Sequence, residues 1–350
     1  MKTLLYKLLF VLLLLPAITN AGIGKGKYTK EKKINKSYTV NGNAGTSVAN
    51  KYGSIFITTW DENRTEIDVL IKVSGNSEDD VTKRINGIDV DFSATKTLVT
   101  AKTIMENFSG RSINIEINYT IKIPKSGTLG LANQYGSIRL GKIYGDINLS
   151  CQYGDVFIDE LNGDNNALKL QYCSAFKIGT CNKATITSQY SDINLTKIGT
   201  LQLGSQYSDT TIGSVDNLNY KAQYSDLTIR SADNIVGSGS YSDLSFGNVE
   251  SLLNITTNYG DLSVTRLGKN VKNVSIVNTY ADVKINFDAE ISFDFEVNGQ
   301  YSDVSGLNNF KVTEKVVKSS SSSYKGYYKS SGTGRLYIKS QYGDVSLNKL

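Results

Sequence analysis

The chain has 350 residues, with 31 Gly, 2 Pro, 22 Tyr and no histidine. The missing imidazole excludes Ser-His-Asp and Cys-His nucleophilic machinery, His-ligated zinc and histidine acid–base catalysis. Its 38 basic and 33 acidic residues, net +5, are scattered along the chain, which gives no electrostatic case for nucleic acid.

Residues 1–21 read as a secretory signal peptide. Lys2 and Lys7 precede an unbroken apolar run from Leu8 to Leu15, and Thr19-Asn20-Ala21 supplies small residues for cleavage. The run is too short for a bilayer-spanning helix, which needs about 20 residues, and no segment of the mature chain qualifies. The expected destination is export, to the periplasm, the outer surface or the medium. Cleavage removes two of the 38 basic residues and no acid, leaving 36 against 33, or +3.

Residues 22–125 are expected to form N-terminal strands and a cap leading into a repeat array. Lys51-Tyr52-Gly53-Ser54-Ile55 is an isolated copy of the repeat motif described below. Strand alternation follows at Ile67, Val69, Ile71 and Val73, and again at Ile113, Ile115, Ile117 and Tyr119. Ser77 before Glu78-Asp79-Asp80 predicts the N-cap of one short helix. Such a region suits a cover over the first rungs, because an open sheet edge invites aggregation.

Residues 126–310 repeat. The motif Gln-Tyr-(Ser/Gly)-Asp-aliphatic places tyrosines at 135, 153, 172, 190, 207, 224, 241, 259, 280 and 301, with spacings of 17 to 21 residues. Another copy follows at Tyr342, 41 residues on, and a half-period echo surrounds Tyr144. Apolar residues recur two apart before the motif, as at Leu201 and Leu203, and again after it, as at Leu227 and Ile229. Each period is therefore a strand, a corner, a second strand and a bend. So short a unit cannot bury its apolar face alone, so units must stack. The expected fold is all-β: a single-stranded parallel β-helix, a β-solenoid of right-handed coil with short rungs. Counting by twos from Leu201 and Leu203 puts the Tyr207 ring on the apolar face, with the small Ser205 making room for it. The outward Gln positions (134, 152, 171, 189, 206, 223, 300 and 341) would stack as an amide ladder.

Residues 311–334 interrupt the array with five consecutive serines, 319–323, and are expected to form a flexible excursion. Tyr324, Lys325, Tyr327, Tyr328 and Lys329 within it are the candidate partner-binding residues, because exposed aromatics among lysines suit acidic glycans or envelope polymers. Residues 335–350 form the terminal rung, which would close the stack. Of the cysteines, Cys151 reads as a small core residue, and Cys173 and Cys181 are a possible pair in an oxidising compartment.

These Gln-Tyr-(Gly/Ser)-Asp repeats behind a signal peptide resemble the bacterial putative-adhesin family of β-solenoid domains of unknown function. Lys51-Tyr52-Gly53-Ser54-Ile55 followed by Thr59-Trp60-Asp61, and Ile123-Pro124 before Gln134-Tyr135-Gly136, are similar to how such proteins begin. The resemblance covers roughly residues 40–350. It implies a solenoid and an envelope, cell-surface or glycan partner. It supplies no catalytic residues and no cofactor.

Two other functions compete with a non-catalytic adhesin. One is a calcium-stabilised rod, with Asp192, Asp209, Asp226, Asp243 and Asp261 as a carboxylate ladder. Against it, the doubled-glycine pattern of calcium β-rolls is absent, and Asp accepting backbone N–H bonds at a turn explains the same spacing. The other is a polysaccharide-active β-helix enzyme, which needs carboxylates converging in a groove. Here the corner acids recur regularly, with Ser137 and Ser174 replacing Asp in two copies, and no rung gathers a cluster. The sequence thus points to a protein that is not an enzyme.

Overall fold

The computed structural model describes residues 26–107, 109 and 112–350. The expected leader lies outside the described residues. The rest is almost entirely β-structure, and successive strands of the array pair parallel and in register. Ile193–Gln206 lies against Thr210–Gln223 with Leu195 opposite Ile212, Leu203 opposite Tyr220 and Gln206 opposite Gln223. This is the solenoid that the repeat implies.

The inward face of one rung shows why the sequence coils. In Thr210–Gln223 the buried residues are Thr210, Ile212, Val215, Leu218, Tyr220 and Ala222. Steps of two belong to extended strand, where alternate side chains share a face. Steps of three on either side of Val215 mark the bend. Each rung thus contributes a short apolar row that only its neighbours can cover. Longer rungs place most of their extra residues at this bend. The exception is the Tyr172 corner, where Cys173, Ser174 and Ala175 stand before Phe176 in place of the two residues between Tyr190 and Ile193. The register between Leu227–Ser240 and Leu244–Asn258 shifts at Ala232/Asn234. The two 21-residue spacings after Tyr259 carry turns at 268–272 and 288–292, and Arg266 joins them with Nη2 at 2.6 Å from Asp288 Oδ2 and Nη1 at 3.7 Å from Glu250 Oε1.

At the N-terminal end, Tyr28–Thr39, Arg64–Gly75 and Ile113–Pro124 form an antiparallel sheet. The helix Glu78–Asn86 follows from its cap, since the Ser77 side chain accepts the Asp80 N–H, and it buries Val81 and Ile85. Gly45–Lys51 lies parallel to Leu98–Met105 on one side and to Leu129–Gln134 on the other. The Tyr52 rung therefore sits directly on the Tyr135 rung, although the whole cap intervenes in sequence.

The C-terminal end departs from expectation twice. Arg335–Gln341 does not close the stack. It lies between Asn273–Thr279 and Phe293–Gln300, parallel to both, so the rung order is Tyr280, Tyr342, Tyr301. The spacing of 41 residues is not two skipped periods but an outward excursion and a return. Nor is 311–334 an irregular loop. Lys311–Val317 and Ser321–Tyr328 form a hairpin laid antiparallel on Phe293–Gln300. Its anchor is aromatic: Tyr328 lies 5.0 Å from Phe287, 5.9 Å from Phe293 and 5.4 Å from Phe310, centroid to centroid. The ring contacts add to the backbone ladder that the hairpin shares with Phe293–Gln300.

Candidate binding surface

The corner residue sets the surface. All twelve motif tyrosines (52, 135, 153, 172, 190, 207, 224, 241, 259, 280, 342 and 301, in stacking order) have positive φ, between 50° and 60°. A residue in this left-handed region breaks the alternation of an extended chain, so its side chain does not continue the face of the strand before it. The rings accordingly do not enter the core. They stand outside it, 39% to 57% exposed. The expectation of buried tyrosines is overturned by this one dihedral.

Outside the core the rings cover one another. Neighbouring centroids are 4.8 to 5.3 Å apart and neighbouring planes lie within 9° of parallel, from Tyr52 to Tyr301 without a gap. Ring faces are thus spent on neighbours, and ring edges and hydroxyls form the outer stripe. A non-glycine residue in this conformation costs about 1–2 kcal/mol, and an aromatic pair is worth about 0.5–1.5 kcal/mol beyond burial. The two nearly cancel, so the stripe exists at little net cost.

The flanking positions fix the corner. At Asn133, Ser205, Thr257 and Ser340 the polar residue two before the Tyr is a cap and not a space for the ring. Ser205 Oγ donates to Ser208 O, Asn133 Nδ2 to Gly136 O, and Thr257 Oγ1 to Gly260 O. The Ser after Tyr points inward. Ser208 Oγ donates to Gln206 O and accepts the Ser191 N–H, and Ser225 and Ser242 repeat the pattern. The Gln amides stack as expected: Gln134 Nε2 donates to Gln152 Oε1, then Gln152 to Gln171, Gln171 to Gln189 and Gln189 to Gln206.

Most corner aspartates accept a backbone N–H from an adjacent rung, although no such bond is made by Asp192 or Asp303 among the described residues. Asp209 Oδ1 takes the Asp226 N–H at 3.1 Å, Asp226 takes that of Asp243 at 2.9 Å, and Asp243 that of Asp261 at 3.0 Å. One oxygen of each of these bonded carboxylates is therefore committed to the fold. Among the described residues no group of three or more acidic or cysteine side chains is placed to hold a metal ion. At the half-period corner, Asp146 accepts N–H bonds from the Asn165 side chain and from the backbone of Asn165 and Asp164, which lowers its pKa from the ordinary carboxylate value.

The cysteines are three buried free thiols, and Cys173 and Cys181 are not paired. Cys173 takes the inward slot that Ser fills elsewhere, and its Sγ lies 3.5 Å from Cys151 O. Cys181 lies at the bend beside Asn166 and Lys183 O, where burial pushes its thiol up to about 11.

The five candidate hairpin residues do not converge on one free surface. Tyr328 is buried, with its hydroxyl donating to Ala289 O. Lys325 lies 3.7 Å from Glu314, and Lys329 lies 2.9 Å from Glu290. Lys315 sits over the Tyr324 ring and Lys311 over the Tyr327 ring. The broad exposed feature that sequence reasoning missed is the tyrosine stripe itself.

A family model described as Toastrack DUF4097 matches residues 47–348, which span the stacked rungs described above. The chain belongs to the Toastrack DUF4097 family. No curated protein is similar to it. Among solved structures, this Toastrack chain resembles a putative adhesin from Parabacteroides distasonis at 9% identity and a TM-score of 0.35, covering 90% of this chain and 97% of the other. It also resembles a putative lipid binding protein from the same organism at 8% identity and a TM-score of 0.37, covering 92% and 98%. A putative cell adhesion protein from Clostridium sporogenes matches at 11% identity and a TM-score of 0.19, covering 92% and 100%. Likeness at this level carries nothing about a ligand.

Proposed function

We propose that this Toastrack protein is a non-catalytic, exported solenoid that presents a long repetitive surface to a partner at the cell envelope, on another cell or on a glycan. The observation that supports this reading is the unbroken stripe of twelve exposed tyrosines, held at corners where glycine would be less strained. A purely structural corner has no need of an aromatic ring at every turn. The ring edges and hydroxyls, repeated at the rung spacing, suit a partner that is itself repetitive. The corner acids, most of them spending an oxygen on backbone amides, act as turn residues and not as a catalytic pair. None of the described helices is long and apolar enough to cross a membrane.

The test is binding of the mature protein to intact cells, isolated envelope polymers and a glycan array. It is compared with a Tyr207→Phe, Tyr224→Phe, Tyr241→Phe variant, which keeps the stack and removes three hydroxyls. The reading expects wild-type binding that the variant weakens. A folded wild-type protein that binds none of these materials would remove the adhesion reading.

A further inference from the structure

Gly204 stands out among the strand glycines. It occupies the outward position three before Tyr207, in register with Thr187 and Lys221, and Lys169 lies beyond Thr187 in the same row. A Cβ built on Gly204 has no heavy atom within 4 Å. Its φ is not in the left-handed region either, where Gly306 and Gly332 are the only glycines among the described residues. The corner glycines are different: a Cβ on Gly136 would lie 2.0 Å from Gly53 O, and one on Gly154 would lie 2.0 Å from Gly136 O. Those positions need glycine. Position 204 does not, and glycine inside a strand weakens it unless something must approach the backbone closely.

The absent side chain leaves a trough of about 250 Å³, walled by Gln189, Gln206 and Gln223 and ended by Lys169 and Lys221. Two further features coincide there. The amide ladder stops at this rung: Gln189 donates to Gln206, but no hydrogen bond joins Gln206 to Gln223 among the described residues. Lys169 and Lys221 also have no ion pair among the described residues, whereas Lys142, Lys325 and Lys329 do. With strands ~4.8 Å apart, three rungs separate the backbone positions of the two lysines by roughly 14 Å. That span suits an oligomer and not a single small anion.

We propose that this trough seats an acidic oligosaccharide. A sugar ring rests over Gly204, its hydroxyls exchange hydrogen bonds with the amides of Gln206 and Gln223, and its carboxylates reach Lys169 and Lys221. Amide side chains are both donors and acceptors, as sugar hydroxyls are, and ammonium groups favour carboxylates. The inference rests on the binding reading above and narrows it to one place and one ligand class.

The test is calorimetric titration of the mature protein with a short oligogalacturonate, and with a neutral maltooligosaccharide of the same length. The expected result is binding of the acidic oligomer and weaker binding of the neutral one. Gly204→Thr fills the trough with the residue already present at position 187, so it should lower affinity at least tenfold while leaving the melting temperature equal or higher. Lys169→Ala with Lys221→Ala should weaken binding and reduce its salt dependence. Ser238→Thr, in the same outward position two rungs on, should change nothing. Wild-type protein that ignores oligogalacturonate, a Gly204→Thr variant that binds it as before, or equal affinity for the neutral oligomer would each overturn the assignment. Retained binding to cells or envelope polymers in those cases would leave the broader reading standing.

Discussion

Tyr207 and Tyr224 lie ring on ring, with centroids 5.0 Å apart and planes 1° from parallel, while their backbones sit at φ of 51° and 50°. Each residue is thus strained in the chain and supported by its neighbour on the next rung. The balance makes a sharp mutational prediction. Tyr224→Ala keeps the strain and loses two ring contacts, which is about 1–3 kcal/mol. Tyr224→Gly loses the same contacts but relieves about 1–2 kcal/mol of strain. Melting temperatures should fall in the order wild type or Gly first, then Ala. Tyr224→Phe should match wild type. Ala melting above Gly would show that the corner is not left-handed in solution.

The rung order at the C-terminal end is testable by cross-linking. Val277 is in register with Lys339, and Lys339 with Asn298. Cysteines placed at 277 and 339, or at 339 and 298, should form disulfides under mild oxidation. Cysteines at 277 and 298 should not, because two strand spacings, about 9.6 Å, exceed the reach of a disulfide. A 277–298 bridge would mean that Tyr301 stacks directly on Tyr280 and the terminal rung lies elsewhere.

Tyr220 is buried in the core with no hydrogen-bond partner for its hydroxyl, and burial drives its pKa upward. Its ring fills the space above Gly237, where a Cβ would meet Tyr220 Cδ1 at 2.3 Å. Tyr220→Phe removes an unpaired polar atom and keeps the fill, and should stabilise the fold by about 1 kcal/mol. Gly237→Ala should destabilise it by about 1–3 kcal/mol through overpacking. Denaturant midpoints decide both.

Acid should act through the carboxylates whose pKa values lie below the ordinary value. Asp146 is lowered by its hydrogen bonds from Asn165, and Asp288 by the hydrogen bond from Arg266. For a carboxylate depressed in the folded state, the stabilising contribution is present above its unfolded pKa. It is lost as pH falls through the folded one. The melting temperature should therefore drop below about pH 4, and Asp146→Asn should reduce that dependence. Chelators should leave the melting temperature unchanged, because the corner carboxylates serve backbone amides. A marked drop in chelator would restore the calcium rod.

Much of the fold was legible from spacing alone. The alternation of Leu201 and Leu203, the three-residue step to Val215, the Gln row and the Ser77 helix cap all depend on local geometry that a sequence displays directly. The direction of the tyrosine rings was not legible, because counting by twos assumes an extended backbone and a single left-handed residue breaks the count. The capping role of Ser205 was hidden for the same reason, since its partner, Ser208 O, lies beyond the corner. The insertion of Arg335–Gln341 between earlier rungs could not be read either, because strands of one repeat are interchangeable in pattern. The trough did have a signal in the sequence: Gly204 is the one glycine among the residues three before a motif tyrosine.

The most direct measurement is tyrosine-specific oxidative labelling of the native mature protein, with site occupancy read by mass spectrometry. The stacked corner geometry predicts modification along the motif tyrosines, Tyr190, Tyr207, Tyr224 and Tyr241 among them, with Tyr119 and Tyr220 protected until the protein unfolds. Protection of the motif tyrosines together with Tyr119 and Tyr220 would place the rings in the core and contradict the exposed ladder.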